Sequence, residues 1–433
     1  MKILLVGSGG REHALAWKLV RESPDVELLA APGNPGISEL ARCVPVAASD
    51  VERLVALAEH ERPDFTLVGP EGPLALGIAD RFAERGLALF GPTRRAAEIE
   101  TSKAFAKRLM IEAGVPTADA HRHTDPADAK RSAREFGAPV VVKASGLAAG
   151  KGVIVCQTLA EADRAIDFML RDEGFGAAGA EILVEEFMEG EELSVFAVTD
   201  GSEVVVLPPA QDHKRLLDGD AGPNTGGMGA YVADLDGWPA AAAAWASVGD
   251  SVMRPTLRAL RDMGRPFSGL LYAGLMLTRS GHKVVEFNCR FGDPETQAIL
   301  PAVVLRPGLL ALMHAVAVGD RLPRDFAAVV EGGAVTTVLA AAGYPEKPRT
   351  GDPIALPPIA DGGVHVFHAG TARAPSGALV TAGGRVLSVT AVAHAFDDAQ
   401  SLSRRYAEQI DFAGKQFRGD IGWREVARRA RAT

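Results

Sequence analysis

The chain has 433 residues, of which 47% are apolar and 23% are charged, and these fractions are typical of soluble globular proteins. A chain of this length predicts two to four domains and excludes a single small module. The 46 Lys and Arg against 55 Asp and Glu give a net charge of −9, which argues against a nucleic-acid partner. No apolar run is long enough to span a membrane and no signal peptide is recognisable, so we expect a cytoplasmic protein.

Short apolar runs alternate with helical patterns through residues 1–100. Strands are predicted at 2–6, 26–30, 65–68 and 87–90, with helices at 12–21, 50–61 and 74–85. Such alternation predicts a doubly wound α/β domain with a parallel sheet, in which ligands bind beyond the carboxyl ends of the strands. Glycines follow every predicted strand, at Gly7, Gly33, Gly69 and Gly91, where a ligand would approach the backbone closely.

The remaining chain mixes strands and helices less regularly. Helices are predicted at 103–113, 126–136, 161–170, 240–263 and 399–410. Strands are predicted at 139–144, 153–156, 182–187, 193–199, 269–278 and 283–288. Residues 211–231 are polar and glycine-rich, and we predict a long functional loop there. From residue 332 the pattern is rich in strands again.

The first glycine cluster, Gly7-Ser8-Gly9-Gly10-Arg11-Glu12, resembles a dinucleotide-binding loop, but Glu12 occupies the place of the third glycine. Strand two ends in Ala31-Pro32, without the acidic residue that would hold a ribose hydroxyl, so NAD binding is disfavoured. The helix N-terminus beside Arg11 still offers a place for a phosphate. A tight turn without a ligand is the alternative.

A second glycine cluster, Gly146–Gly152, directly follows Lys143 on a predicted strand. It lacks the spacing of a Walker A loop, but it suits a loop that folds over a triphosphate while Lys143 screens phosphate charge. A hairpin with a solvent-exposed lysine is the alternative. Further along, Glu185-Glu186-Phe187 are candidates for the segment that contacts an adenine edge, with Glu192 on the ribose; solvated acidic residues are the simpler interpretation.

The strand ending at Asn288 carries the strongest candidate. Alternation places Glu286, Asn288 and Arg290 on one face, which offers two oxygen ligands suited to Mg²⁺ and a guanidinium that would stabilise developing negative charge. A structural salt bridge is the alternative. The polar stretch from residue 211 would serve as a lid for the acceptor substrate, whereas His213 within it could equally be a surface residue.

Taken together, these segments resemble the ATP-grasp ligases, and closely the phosphoribosylamine-glycine ligase (glycinamide ribonucleotide synthetase) family. The resemblance spans essentially the whole chain. It is carried by nine motifs: GREHA at 10–14, APGNPG at 31–36, VGPE at 68–71, FGPT at 90–93, SKAF at 102–105, GLAAGKGV at 146–153, QDHKR at 211–215, GPNTGGMGAY at 222–231 and EFNCRFGDPETQ at 286–297. Ser145 stands where the family's KADG motif has Asp.

The resemblance implies a ligase of purine biosynthesis that joins glycine to 5-phosphoribosylamine through glycyl phosphate, with ATP as co-substrate and Mg²⁺ or Mn²⁺ as cofactor. Catalytic roles fall to Arg290 and Lys143, and metal binding to Glu286 and Asn288. The residues implied for ATP are Lys103, Lys143, Gly150, Lys151, Gly152, Glu185, Glu186, Phe187 and Glu192. For phosphoribosylamine the implied residues are Gly9, Gly10 and Arg11 at its phosphate and Asn34 and Glu71 at its ribose. For glycine they are Asp212, Lys214, Arg290 and Asp293.

The implied architecture is an N-terminal substrate domain over residues 1–100, an ATP-grasp α+β domain over 101–325 with a lid at about 121–187, and a small β-rich domain over 326–433. We expect a monomer with neither nucleic-acid nor membrane partners. Another ATP-grasp carboxylate-amine ligase of nucleotide metabolism is the alternative function. A nicotinamide oxidoreductase would leave the central glycine loop without a role, and a non-catalytic nucleotide-binding regulator should lack Lys143 or Arg290.

Overall fold

In the computed structural model, which describes residues 1–148, 152–172, 174–359 and 361–432, the N-terminal region is a five-stranded parallel sheet in the order β3-β2-β1-β4-β5. Its elements are β1 (Lys2–Gly7), α1 (Gly10–Glu22), β2 (Glu27–Pro32), β3 (Arg42–Cys43), α2 (Val51–Glu61), β4 (Phe65–Val68), α3 (Glu71–Ala75), α4 (Ile78–Ala83), β5 (Leu89–Phe90) and α5 (Glu98–Thr101). Successive side chains of β1 enter different hydrophobic clusters, because Leu4 and Val6 pack on one face while Ile3 and Leu5 pack on the other. The predicted parallel α/β sheet is confirmed.

The helix predicted over residues 74–85 is wrong as a single element. Gly77 has a φ of 86°, a left-handed conformation that ends α3 and precedes α4. By contrast, α2 begins where its cap predicts, since the Asp50 carboxylate accepts a hydrogen bond from the Arg53 amide. The break after α3 leaves Glu71 on a short helix directly beyond β4.

The middle of the chain contributes two antiparallel sheets, ordered β6-β9-β7-β8 and β11-β10-β16-β17. The elements up to residue 206 are α6 (Lys103–Glu112), β6 (Ala120–His123), α7 (Pro126–Phe136), β7 (Val140–Ala144), β8 (Val153–Cys156), α8 (Leu159–Leu170), β9 (Ile182–Glu186), β10 (Glu191–Thr199) and β11 (Val204–Val206). The first sheet has its own hydrophobic cluster with α7 and α8, in which Val142, Ile166 and Val184 are fully buried.

Residues 211–231 are not the irregular loop that their composition predicts. They form β12 (Gln211–Asp212), β13 (Arg215–Leu217), β14 (Ala221–Asn224) and β15 (Gly229–Val232), followed by α9 (Pro239–Val248), α10 (Arg254–Asp262), β16 (Gly269–Thr278) and β17 (Gly281–Asn288). The predicted long helix over 240–263 corresponds to α9 and α10, joined by one π-helical turn at Gly249–Met253.

The C-terminal region completes a sheet begun more than a hundred residues earlier. Its elements are α11 (Glu295–Ala302), β18 (Val303–Arg306), α12 (Leu309–Val318), β19 (Ala327–Val330), β20 (Gly333–Ala340), β21 (Val364–His368), β22 (Thr371–Arg373), β23 (Leu379–Thr381), β24 (Arg385–Ala393), α13 (Phe396–Gln409) and α14 (Trp423–Ala432). In the sheet order β12-β15-β20-β24-β21, β15 pairs with the C-terminal strand β20, and β12 pairs with β15. Among the described residues no helix combines the length and apolar character needed to cross a bilayer.

Candidate active site

Glu286 and Asn288 lie at the carboxyl end of β17, two residues apart and therefore on one face. Gly274 on β16 is the partner opposite Glu286, and a Cβ there would lie 3.5 Å from Cγ of Glu286 and 3.4 Å from the Tyr272 ring. Burial alone would raise the pKa of Glu286, but Lys214, Lys103 and Lys143 together hold it below its usual range. The Asn288 amide forms no hydrogen bond within the described part of the chain.

Lys143 reaches the same place from β7. Its ammonium donates to the Val285 carbonyl at 3.2 Å and pairs with the Glu185 carboxylate at 2.8 Å. Lys143 and Glu185 face each other because Leu183 is the partner of Lys143 in the β7–β9 register, and Glu185 follows two residues later on the same face. Glu185 is only 2% exposed, so it is not the solvated strand-end residue of the simpler interpretation.

A second buried lysine, Lys107, also contacts the Glu185 carboxylate. Lys107 on α6 lies 3.3 Å from the Glu185 carboxylate and donates to the Thr117 hydroxyl and the Ala118 carbonyl. Burial lowers the pKa of Lys107 to about 8. The Glu185 carboxylate is thus shared between two ammonium groups, and sequence reasoning had not identified Lys107.

The remainder of the predicted adenine segment is more exposed. Glu186 pairs with Lys283 at 2.7 Å, and the Phe187 side chain is 40% exposed. In the glycine loop, the Gly152 carbonyl accepts from the Ala144 amide at 2.8 Å, which fixes the loop's second arm against β7. Two predicted loop residues, Gly150 and Lys151, lie outside the described residues.

The N-terminus of α6 places Lys103 beside this cluster. Burial lowers the pKa of Lys103, while Glu286 acts in the opposite direction. The Ser145 hydroxyl accepts from the Ala104 amide at 3.2 Å, and the Ser102 hydroxyl accepts from the Phe105 amide at 3.1 Å. Ser145 therefore caps the first turn of α6 from the β7 side, a role for which any short side chain with an acceptor oxygen suffices.

Asp212 and Lys214 approach from the segment around β12. Lys214 forms an ion pair with Glu192, which joins a residue predicted for glycine to one predicted for the ATP ribose. Burial raises the pKa of Asp212 to about 7, although Lys214 opposes the shift. His213 between them points away: it is 1% exposed and its Nε2 accepts from the Gly422 amide, so it is neither a surface residue nor part of a lid.

Arg290 lies beyond the end of β17, where two carboxylates rather than strand alternation set its position. Its Nε donates to Glu71 at 3.2 Å and its Nη2 lies 3.3 Å from Glu100. Glu100 also accepts hydrogen bonds from both the amide and the thiol of Cys289, at 2.8 and 2.9 Å. Burial alone would raise the pKa of Glu71, but Arg290 and Arg11 hold it below its usual range.

At the carboxyl end of β1, where the sequence predicts a phosphate, the Glu12 side chain already contacts the backbone. The Glu12 side chain accepts from the Gly9 amide at 2.5 Å and also pairs with Arg11, so an internal carboxylate already occupies part of the helix N-terminus. Gly10 begins α1 directly after it. As a correction to the predicted phosphate contact, the Gly9 amide is not free in this structure.

The predicted ribose contact of Asn34 meets a similar obstacle. Its amide nitrogen donates to the Ser8 and His368 carbonyls, both at 2.8 Å, and its oxygen accepts from the Ile37 amide. Because both amide donors are used, Asn34 joins the N-terminal strand ends to β21. A contact with a sugar would have to use the remaining acceptor capacity of its oxygen.

Asp293 is tied to the C-terminal region. Arg385 approaches its carboxylate to 3.3 Å and donates to the Asp293 and Gly226 carbonyls, while Gln297 donates to the carboxylate at 2.7 Å. Burial would raise the pKa of Asp293, but Arg385 and Arg11 hold it low. Arg385 was missed by sequence reasoning, because nothing local marks it.

Comparison with known proteins agrees with this geometry. Three models of phosphoribosylglycinamide synthetase match the chain: the N domain at residues 1–100, the ATP-grasp (A) domain at 101–296 and the C domain at 334–424. The phosphoribosylamine–glycine ligase of Ralstonia nicotianae is 48% identical over 432 residues, which cover 99% of this chain and 100% of that protein. The chain belongs to the phosphoribosylglycinamide synthetase family.

Solved structures extend the comparison. A crystal structure of phosphoribosylamine–glycine ligase from Thermotoga maritima superposes with a TM-score of 0.82 at 32% identity, covering 97% of this chain and 100% of that one. The biotin carboxylase domain of Hydrogenobacter thermophilus 2-oxoglutarate carboxylase, in complex with magnesium ADP and bicarbonate, has a TM-score of 0.69 at 20% identity over 96% of this chain and 91% of that one. The latter likeness shows a shared fold alone. As an ATP-grasp member of the synthetase family, the chain is an ATP-dependent ligase.

Ligases with this fold use ATP together with a divalent metal, and the residues at the end of β17 fit such an ion. The pKa of Glu286, which lies opposite Gly274, is held below its usual range by the neighbouring lysines, and the side-chain carbonyl oxygen of Asn288 has no hydrogen-bond partner among the described residues. The described residues contain no group of three or more His, Cys, Asp or Glu side chains arranged for a metal. A hard cation with two protein ligands would therefore complete its shell with phosphate oxygens and water, as Mg²⁺ does.

Proposed function

We propose that this member of the synthetase family joins glycine to 5-phosphoribosylamine at the expense of ATP, giving glycinamide ribonucleotide, ADP and phosphate. The observation that carries the proposal is the convergence of Lys103, Lys143, Lys214 and Arg290, from four separate segments, on the single carboxylate of Glu286. Relatives that match along their full length bear the name phosphoribosylamine–glycine ligase. We further propose a cytoplasmic monomer.

The physical difficulty of the first step is that glycine's carboxylate must attack the terminal phosphoryl group of a polyanion. Two unit charges 4 Å apart repel by about 4 kcal/mol at an effective dielectric constant of 20, so cations must flank the reacting oxygens. In our proposal Lys103 and Lys143 bind the phosphates, and Arg290 faces the transferred phosphoryl group and then the oxyanion at the acyl carbon. The product of this step is glycyl phosphate.

In the second step the amine of phosphoribosylamine displaces phosphate from glycyl phosphate. Glu71 and Arg11 would orient this acceptor beside Arg290. The glycine portion would be bound by Asp212, Lys214, Arg290 and Asp293. Holding the two reactants in line is worth about 7–11 kcal/mol of the barrier. Closure of the glycine loop would exclude water from the acyl phosphate.

Mg²⁺ or Mn²⁺ bound by Glu286 and Asn288 would neutralise phosphate charge and orient the terminal phosphoryl group. The segment Glu185–Phe187 would contact adenine through its backbone, because the Glu185 side chain is already shared by two lysines. Glu192 would bind the ribose, with Gly150, Lys151 and Gly152 over the phosphates.

Phosphoribosylamine formed in situ from ribose 5-phosphate and ammonia provides the direct test. Release of ADP should require both glycine and this amine. With glycine labelled by ¹⁸O in its carboxylate, one labelled oxygen should appear in the inorganic phosphate, because the carboxylate oxygen that attacks ATP leaves with the phosphate. ADP release without glycine would contradict the substrate assignment, and unlabelled phosphate would contradict the acyl phosphate route.

A different ATP-grasp carboxylate-amine ligase is the second candidate, since the nucleotide machinery would be the same. A panel of amino acids and phosphoribosyl carboxylates in the same ADP-release assay separates the two. Faster turnover with any member of that panel than with glycine would favour the second candidate.

A further inference from the structure

A cavity of about 290 Å³ lies between α1 and the C-terminal region, next to Asn34, whose amide donates to the carbonyl of the lining residue His368. Helix α1 contributes His13 and Trp17, β21 contributes His368, α13 contributes Tyr406, and the segment before β21 contributes Leu356 at the rim. None of Glu71, Arg290, Asp293 or Glu286 lines it. The cavity is therefore separate from the proposed catalytic centre.

The hydrogen bonding of His13 determines which of its ring nitrogens carries the proton. The His368 amide donates to Nδ1 of His13 at 2.8 Å, so this nitrogen carries no proton. Burial lowers the pKa of His13 to about 3, and its ring is therefore neutral with the proton on Nε2. Nε2 has no hydrogen-bond partner within the described ranges, although the side chain is more than nine-tenths buried. Nε2 itself remains accessible from the cavity that His13 lines, so it can donate a hydrogen bond to a ligand there.

The remaining lining is aromatic and apolar, and the Arg21 guanidinium, 5.5 Å from the centroid of the Trp17 ring, lies beside the cavity without lining it. Trp17 packs against His365 with ring centroids 4.7 Å apart, and His368 is neutral because burial lowers its pKa to about 4. No lysine or arginine lines the cavity, and Glu39 stands at its edge. Phosphates and carboxylates would find no counter-charge among the lining residues. The indole nitrogen of Trp17 and the hydroxyl of Tyr406 also have no hydrogen-bond partners in the described part of the chain.

We propose that this cavity binds a planar, uncharged heteroaromatic molecule of the size of a purine base, which accepts a hydrogen bond from Nε2 of His13 and stacks against Trp17. The size agrees, because an apolar cavity of about 150 Å³ holds benzene and ligand sites begin near 300 Å³. The inference does not rest on the proposed ligase reaction, since no catalytic residue takes part in it.

Isothermal titration of the full chain with adenine or hypoxanthine tests the proposal. Saturating Mg-ADP is present throughout, so that the nucleotide site is closed to the probe. We expect saturable binding at one site, at least tenfold weaker in Leu356→Trp, which fills the cavity mouth. Leu76→Trp, at a comparably exposed leucine outside the cavity, should bind like the wild type.

Nicotinate serves as the anionic probe of similar shape, and we expect no saturable binding of it. Three results would each overturn the proposal: no heat with adenine or hypoxanthine at millimolar concentration, undiminished binding by Leu356→Trp, or nicotinate binding as tightly as adenine. His13→Phe provides a second variant, because it keeps the ring and removes the donor; binding equal to wild type there would refute the assigned hydrogen bond.

Discussion

Glu100 provides the most direct test of how this site positions its arginine. The side chain is 6% exposed and its oxygens contact Arg290 and both donors of Cys289. In Glu100→Gln the amide retains the size but turns an N–H group toward either the guanidinium or the Cys289 amide. Arg290 then keeps the Glu71 carboxylate and the Phe291 carbonyl as its remaining hydrogen-bond partners among the described residues.

The magnitude follows from the distances. At 3.3 Å and an effective dielectric constant of 20, the attraction between Glu100 and Arg290 is about 5 kcal/mol. Desolvation offsets much of this, and hydrogen bonds to charged groups contribute a net of about 1.5–3 kcal/mol. If that energy is what holds Arg290 toward the transition state, kcat falls about 10- to 100-fold, since 1.36 kcal/mol corresponds to tenfold in rate.

Steady-state kinetics with ADP release as the readout, together with urea unfolding, check this expectation. The KM for ATP should change less than kcat, because Glu100 contacts Arg290 directly, whereas its effect on Lys103 is smaller than those of Glu286 and Lys143. Glu98→Gln is the matched control: Glu98 lies on the same short helix and pairs with Arg265, but it is half-exposed, so its loss should cost less than about 1 kcal/mol. Wild-type kcat in Glu100→Gln, or an equal loss in Glu98→Gln, would refute the reasoning.

Three further predictions concern Lys107, Ser145 and Lys143. Lys107 has a pKa of about 8 in the folded protein, below its unfolded value, so between pH 8 and 10.5 the folded state binds fewer protons than the unfolded state. The free energy of unfolding of the wild type relative to Lys107→Met should therefore rise by about 2 kcal/mol from pH 7.5 to 9.5, measured by urea unfolding. A difference that stays flat or falls over this range contradicts the prediction. Ser145→Ala should lower the free energy of unfolding by about 1 kcal/mol in the same measurement, and Ser145→Asp should restore it because the carboxylate can accept from the Ala104 amide. If Ser145→Asp is less stable than Ser145→Ala, Ser145 does not cap α6. Lys143→Ala should lower turnover severely while its circular dichroism spectrum remains native, and near-normal turnover would remove Lys143 from the mechanism.

The sequence predicted correctly those helices and strands whose ends are set by residues next to them in the chain. The bounds of β4, β8 and α7 agree with those predicted from the sequence, since each is set by an apolar run or by a cap and a proline. The helix across Gly77 failed because helical periodicity does not reveal a positive φ. The prediction for residues 211–231 failed because their strands are short and one of them, β15, also pairs with the distant strand β20, whereas composition reports only polarity and glycine.

The candidate active site likewise contains residues that the sequence could identify and residues that it could not. Lys143, Glu286 and Asn288 could be found because each stands in a motif at a strand end, and the structure brings them together. Glu100 and Arg385 could not, because their partners lie 189 and 92 residues away and neither position has a distinctive neighbourhood. Nor does the sequence indicate that Glu12 fills the helix N-terminus beside Gly9, which only the folded geometry shows.

The pairing of β15 with β20 has a consequence for the order in which the molecule matures. During synthesis β15 can pair only with β12, and about a hundred more residues must be made before its second partner, β20, is available. Nucleotide-facing parts can fold earlier, while the acceptor side is finished last. A nascent or prematurely terminated chain would therefore be expected to recognise ATP without being able to use it.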